Sequence, residues 1–466
     1  MACVALALLS VFVLPSTPSY DPWAWIVWGR EIGSGAFTFA TNGGPSWKPL
    51  PVVFTTVFGL FGGAAPKLWL VAARAGGLLA LLGAYRLGWR LAGSVAGVLA
   101  AAALLLTHEA QGSPLIIQDW AHYLFRGASE PLLVACVLWA VEAHLARRRG
   151  LAVALAMATS LIRPEAWPFL GLYLLWLWRF WPPMRSARTL VLVAAGLVLI
   201  PLLWFGPPWI STGNPFGAST QAAHYNGQLG TDPLLEVLSR GAHLVMFPVL
   251  VFAAVAVVLG WREADRVTLW LAGGAAAWVA LVALMTVAAY PGLGRFMYPP
   301  AAVACVLAGA GVVRLGGLAG SGALRWSVVA VCVGICAPFA AGRTAHAWKE
   351  KSEADLAVRF TNQLSDAVGV AGGRDRVMPC PTSVSAVNHT MQTALAWSLH
   401  VRLSRVKTVL RSPGVNFVGP HLVTIDGAAA AVRIRGGSVA RLVAQSGVWR
   451  VYRVTSPRLP ARCVGA

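Results

Sequence analysis

Between two apolar segments near the N-terminus lies a stretch, residues 20–51, that carries Asp21, Arg30, Glu31 and Lys48 among Trp23, Trp25, Trp28 and Trp47. A carboxylate can take the proton of a hydroxyl, and a lysine can hold an anion as its charge develops. Tryptophans at this density suit a membrane interface, where the indole buries a face and keeps its N–H wet. Each charged residue also has a plainer reading. Asp21 precedes Pro22, a pairing that suits the first turn of a helix, where a carboxylate caps free N–H groups. Lys48, before Pro49 and Pro51, can simply extend to lipid headgroups. Asp21 can serve as base and as cap at once.

Further polar residues gather in short segments. Residues 108–130 hold His108, Glu109, Gln118, Asp119, His122, Arg126 and Glu130; Arg163 and Glu165 follow, and a segment from Pro207 to Arg240 holds Asn214, His224, Tyr225 and Asp232. Ser129-Glu130-Pro131 and Arg163-Pro164-Glu165 each place a carboxylate and a proline at the start of an apolar run, which helix capping explains. Arg163 can also pair with Glu165 or Glu130 and shape a cavity. His108, Glu109, Asp119 and His122 are metal-ligand types, but their spacing fits no compact motif, so no metal is predicted. Trp204, Trp209, Asn214 and His224 suit either a pocket lining or loop packing. Arg295 follows Gly-Leu-Gly, a flexible approach to a helix where a guanidinium can grip a phosphate with two bonds or anchor at the interface.

The elements that position these residues are membrane spans. Hydrophobic residues make up 57% of 466 positions and charged ones 12%, which excludes an ordinary water-soluble fold. Apolar runs lie near 66–86, 93–107, 128–146, 150–162, 166–181, 187–206, 241–260, 267–289, 297–315 and 325–342. With the apolar N-terminus, read as a first span whose cytoplasmic start is missing and not as a signal peptide, about eleven spans result. Arginines collect in alternate loops (Arg86 and Arg90; Arg147 to Arg149; Arg179, Arg185 and Arg188; Arg262 and Arg266; Arg314 and Arg325). If these face the cytoplasm the N-terminus is inside, and the unusual polar residues all fall outside. Residues 52–61 then form an interfacial or re-entrant helix. The net charge of +20 is read as loop anchoring against anionic lipid, not as nucleic-acid binding.

Residues 1–342 are thus expected to form an all-α polytopic membrane domain with a first outer loop at 16–65. Residues 343–371 read as a charged connector helix, and 372–466 as a small extracytoplasmic α/β domain. In the last of these, strands are expected at Arg376 to Met378, Val406 to Leu410, Leu422 to Ile425, Val432 to Ile434 and Val448 to Val454, with a helix near Met391 to Leu403. Cys380 and Cys463 are a candidate disulfide there, while Cys3, Cys136, Cys305, Cys332 and Cys336 read as small core residues.

An Asp shortly after the first span, an interfacial helix and a Lys-Pro motif together resemble the GT-C superfamily of polyprenyl-phosphate-sugar-dependent glycosyltransferases. The protein mannosyltransferase and aminoarabinose transferase branch is nearest, and the chain looks like a group of actinobacterial membrane proteins of that type. The strings that carry the resemblance are YDPWAWIVWGRE, PSWKPLP, APKLWLVAARAG, GASEPLL, LIRPEAWPFLGLYLLWLW and GRFMYPPAAVACVLAGAG, covering most of residues 20–315. By position, Asp21 matches the first-loop Asp, Lys48 the lysine of the Lys-Pro motif, and Arg295 the arginine before an aromatic-Pro segment. The chain departs from the pattern in having Lys48-Pro49-Leu50-Pro51 for Lys-Pro-Pro, and it lacks an acidic pair beside Asp21. The second carboxylate is left open between Glu31, Asp119 and none.

The resemblance implies an inverting transfer of a sugar from a polyprenyl phosphate, decaprenyl in an actinobacterium, to a glycan, lipid or protein of the cell envelope. Asp21, with Glu31, would be catalytic. Lys48, Arg295 and Arg163 would bind the donor phosphate, and Asp119, His122, Glu130, Glu165 and His224 would line the pocket. No cofactor is expected beyond the donor, and the bilayer is the constant partner. The competing expectations are a transporter or flippase of lipid-linked sugars, which would favour broken helices or half-to-half symmetry, and a non-catalytic scaffold.

Overall fold

The computed structural model describes residues 1–40, 44–110, 117–223, 232–288, 290, 292–320, 322–378, 383–387, 389–419 and 439–455. The helices begin with α1 (Ala2–Val13), α2 (Tyr20–Gly33), α3 (Pro49–Gly59), α4 (Ala65–Ala92) and α5 (Ser94–Leu105). A hairpin, β1 (His108–Ala110) and β2 (Ile117–Asp119), leads to α6 (Trp120–Arg126), α7 (Glu130–Leu145), α8 (Arg149–Ser160), α9 (Trp167–Phe180), α10 (Ala187–Thr212) and α11 (Gly217–Ala223). Then come α12 (Pro233–Leu244), α13 (Phe247–Arg262), α14 (Arg266–Val287), α15 (Tyr298–Gly317), α16 (Gly322–Val370) and α17 (Gly373–Val377). The C-terminal part adds β3 (Val384–Ala386), α18 (Gln392–Ser398), β4 (Val406–Lys407), β5 (Gly414–Val418), β6 (Val439–Ser446) and β7 (Trp449–Thr455).

The apolar runs of the sequence fall on helices, the one near 241–260 across the break between α12 and α13, because a helix satisfies its own backbone in lipid. Among the described residues five helices are long and apolar enough to cross a membrane, or up to seven if two sharply bent pairs each count as one span. The chain is a multi-pass membrane protein. The bent pairs are α6 with α7, at 111°, and α12 with α13, at 91°. The apolar runs alone do not mark these breaks, which have local causes. Gly127 takes a left-handed conformation (φ 70°) that ends α6, and Pro131 opens α7. Pro248 likewise opens α13.

The chain divides into two compact units. One comprises Met1–Val13, Val71–Leu203 and Ala222–Ser352. Its centre is α15, whose residues are nearly all buried. Small residues make this possible: a Cβ on Gly309 would sit 2.3 Å from the Ala96 carbonyl oxygen, and one on Gly311 would sit 2.0 Å from that of Phe252. The backbones of α5 and α13 therefore press against α15 at those points, the close approach that drives helix association in lipid. The charged ends pair as well. Glu142 on α7 accepts two bonds from Arg90 on α4, at 2.7 and 3.0 Å, and Asp265 before α14 meets Arg314 on α15 at 2.5 Å. The loops in which positive charge alternates along the sequence thus share partners within this unit.

The second unit comprises Leu14–Leu70, Trp204–Gln221 and Glu353–Ala466. Its sheet has the order β4-β3-β5-β7-β6, with β3 parallel to β4 and β5, and β7 antiparallel to β5 and β6. The expected strand at Arg376 to Met378 is instead the end of α17, entered through Gly372 and Gly373, both at positive φ. The strand expected to reach Leu410 stops at Lys407. The expected helix to Leu403 ends at Ser398, followed by His400 at φ 53° and a short 3-10 turn, Leu403–Arg405. Strands β3 and β5 are buried along almost their whole length and so show no alternation to read. The expected strands at 422–425 and 432–434, and both Cys380 and Cys463, lie outside the described residues.

Candidate functional site

In the second unit, α2 and α3 pack so tightly that a Cβ on Gly29 would stand 2.4 Å from the Thr55 carbonyl carbon. The Thr55 hydroxyl donates to the Trp25 carbonyl at 2.6 Å and locks the pair. Asp21 sits in the first turn of α2, but its oxygens accept from the loop that leads to α3: the Ser46 amide at 3.0 Å and the Ser46 hydroxyl at 2.6 Å. The Trp25 indole donates to the Ser46 carbonyl at 2.7 Å. Residue 46 is therefore held on both sides by α2. Lys48 follows in an extended conformation (φ −140°, ψ 110°), as a residue before proline must be, and caps α3 through Pro49. Its Nζ lies 5.4 Å from the centre of the Trp25 ring, and the residue is buried. Asp21 thus fixes the segment that carries Lys48.

The tryptophans of this stretch are not a wet belt. Trp25 and Trp28 are fully buried, and Trp28 stacks on Phe39 and meets Trp47 edge-on. They form the core on which the Asp21 loop rests, so the interfacial reading of their rings is corrected to a packing one. Glu31 also faces inward. Its carboxylate accepts from the Leu403 amide at 2.8 Å and the Thr38 amide at 3.2 Å. Burial raises its pKa to about 7, against the opposing pull of these amides and Arg30. Arg30 donates to the Val401 carbonyl at 2.7 Å and lies over Trp397, so α2 is tied to the segment around α18 by both residues.

The first unit gathers most of the other residues. Arg163 bonds Glu130 at 2.9 Å, lies 3.8 Å from Glu165 and stacks 4.1 Å over Phe296. Tyr290 donates to Glu165 at 3.4 Å. All three charged residues are at most 4% exposed. The capping motifs of the sequence thus serve chiefly to bring a buried ionic cluster together. Arg295 belongs with Glu109, which is 1% exposed and accepts from the Tyr123 hydroxyl at 2.5 Å. Burial raises the Glu109 pKa, opposed by Tyr123 and Arg295. A Cβ on Gly294 would lie 3.0 Å from Glu109 Cγ, so the glycine before Arg295 provides close approach and not the flexibility expected of it. Tyr123, Tyr290 and Phe296 are not among the residues singled out from the sequence, and Glu109 stands there only as a polar residue and metal-ligand type.

Asp119 caps α6, accepting from the His122 amide at 2.7 Å. The His122 ring turns to Glu350, 3.0 Å away, which also meets Arg126 at 3.6 Å. Asn214 accepts from the Phe216 amide in a local turn, and Trp209 is exposed. His224 lies outside the described residues. Among the described residues no group of three or more His, Cys, Asp or Glu side chains is arranged to hold a metal ion.

No protein-family model matches the chain, and no curated protein matches it. Solved structures do. ArnT from Cupriavidus metallidurans bound to undecaprenyl phosphate is similar with a TM-score of 0.55 at 16% identity, over 100% of this chain and 99% of that one. The same protein in its apo state is similar with a TM-score of 0.52 at 16% identity, over 97% of each chain. The chain has the fold of ArnT along its whole length.

Proposed function

We propose that the protein is a GT-C-type membrane glycosyltransferase that takes a sugar from a polyprenyl phosphate and passes it to a cell-envelope glycan, lipid or protein. The observation that carries this reading is the shared fold with ArnT, a protein solved with undecaprenyl phosphate bound, in a chain whose Asp21 and Lys48 are fixed by one loop. Asp21 takes the proton of the acceptor hydroxyl as its oxygen bonds to the sugar's anomeric carbon. The bond from that carbon to the phosphate oxygen breaks, and polyprenyl phosphate leaves with one more negative charge. Lys48 meets that charge, and one displacement inverts the anomeric centre. Glu31 and Arg163 act as positioning groups, Glu31 by holding α2 to Leu403 and Arg163 by organising Glu130 and Glu165.

Eleven spans are proposed on α1, α4, α5, α7, α8, α9, α10, α13, α14, α15 and the apolar part of α16, with the N-terminus cytoplasmic and the C-terminal domain outside. The shared partners of Arg86, Arg90, Glu142, Asp265 and Arg314 support this alternation. The exposed Val53, Phe54, Val57, Leu60 and Phe61 support an interfacial α3. A transporter of lipid-linked sugars is favoured by one observation, the two bent helix pairs. Incubating the purified protein with synthetic polyprenyl phosphate sugars and envelope acceptors separates the two. Covalent transfer supports the enzyme, whereas donor binding with movement across liposomes and no product supports the transporter.

A further inference from the structure

Residues 372–466 carry thirteen Lys and Arg against two acidic residues, Asp375 and Asp426, a net of +11 in a chain of +20. Loop anchoring does not account for this, since charges that set orientation lie within about 15–20 residues of span ends and the last apolar run ends near 342. The cations sit on a built frame. At the β4 edge, Arg405, Lys407 and Arg411 flank one another, and burial followed by the repulsion of Arg411 and Arg405 lowers the pKa of Lys407. The Arg411 backbone is fixed from both sides by the fully buried Asn416. Its Oδ1 accepts from the Arg411 amide at 2.7 Å and from Ser385 at 2.6 Å, and its Nδ2 donates to the Arg411 carbonyl at 2.9 Å.

At the other edge the register sets Arg441 directly across from Arg453, a like-charge pairing that destabilises an antiparallel ladder on its own. Arg450 and Arg453 are three residues apart on β7 and so point to opposite faces of the sheet; both are exposed, as is Arg441. Four strand spacings, about 19 Å, separate the two edges. A bilayer is planar and can meet only one face of such a sheet. A flexible chain of anions can follow both edges and both faces, relieving the repulsion at each.

We propose that the C-terminal domain docks a linear, phosphate-bearing polyanion that wraps the sheet from the β4 edge to the β6–β7 edge. This holds independently of the transferase reading. The test uses the full chain in neutral phosphatidylcholine nanodiscs with inorganic polyphosphate as the probe, beside phosphatidylglycerol vesicles. Polyphosphate is expected to bind, losing about a hundredfold in affinity between roughly 50 and 200 mM salt, as release of counterions from about five contacts requires. R405Q/K407Q/R411Q and R441Q/R450Q/R453Q should each weaken binding about tenfold and combine multiplicatively, while lysine at the five arginine positions retains it. Tighter binding to the vesicles, loss confined to one edge, or affinity unchanged in both glutamine variants would overturn the proposal.

Discussion

Replacing Arg163 by alanine removes the cation that pairs with Glu130 at 2.9 Å and lies 3.8 Å from Glu165. With an effective dielectric of about 20, those pairs attract by about 6 and 4 kcal/mol. Desolvation of all three buried groups offsets most of that, so the intact cluster adds little net stability. Removing the cation alone is different, because two carboxylates are then buried without it, at a cost of about 3 to 5 kcal/mol. The unit containing them has about 280 residues. Its unfolding entropy is then about 0.6 kcal/mol per degree, and its melting temperature should fall by about 5 to 9 °C. Intrinsic fluorescence during heating in detergent reads the transition. Adding Glu130→Gln and Glu165→Gln to Arg163→Ala should restore most of the loss, since no buried charge is then left. A variant melting within about 1 °C of the wild type, or one that the two glutamines destabilise further, would refute the reasoning.

Three other outcomes follow from the geometry. Because Glu31 is raised from 4.5 to about 7, the folded state binds its proton more tightly than the unfolded one. Its contribution is full below pH 4.5 and is lost as pH rises through 7, up to about 3 kcal/mol, so Glu31→Gln should flatten the stability profile between pH 5 and 8. A profile equally steep in the variant contradicts this. Gly29→Ala forces a Cβ within 2.4 Å of the Thr55 backbone and should lower stability by about 1 to 3 kcal/mol, read by limited proteolysis between α2 and α3; wild-type resistance would contradict the packing. Lys48→Met should raise the KM for donor about tenfold or more, with Lys48→Arg recovering part of it, and an unchanged KM would remove Lys48 from the phosphate site.

How much of this was legible depended on whether a residue's partner lay nearby in sequence. The apolar runs became helices because a helix satisfies its own backbone in lipid, whereas the arginines, read only for orientation, did not announce their partners Glu142 and Asp265. The pairing of Arg163 with Glu130 and Glu165 was open as a choice of partners, and both were taken. Glu31 could not be read: its acceptor role depends on Leu403, 372 residues away. The tryptophans from Trp23 to Trp47 have interfacial composition, yet Phe37 and Phe39 close over them into a core. Glu109 is bonded by Tyr123 across a hairpin of only three-residue strands, too short to register as a pattern.

The central claim rests on Asp21. The most direct measurement is transfer of radiolabelled sugar from a panel of synthetic polyprenyl phosphates by purified wild-type protein and by Asp21→Asn. Asparagine can still accept from the Ser46 amide but cannot take a proton. The account predicts product with the wild type, and for the variant retained donor binding with turnover reduced by about a hundredfold to ten-thousandfold. Equal turnover in both proteins would contradict it and leave Asp21 as a structural support for the loop at Ser46.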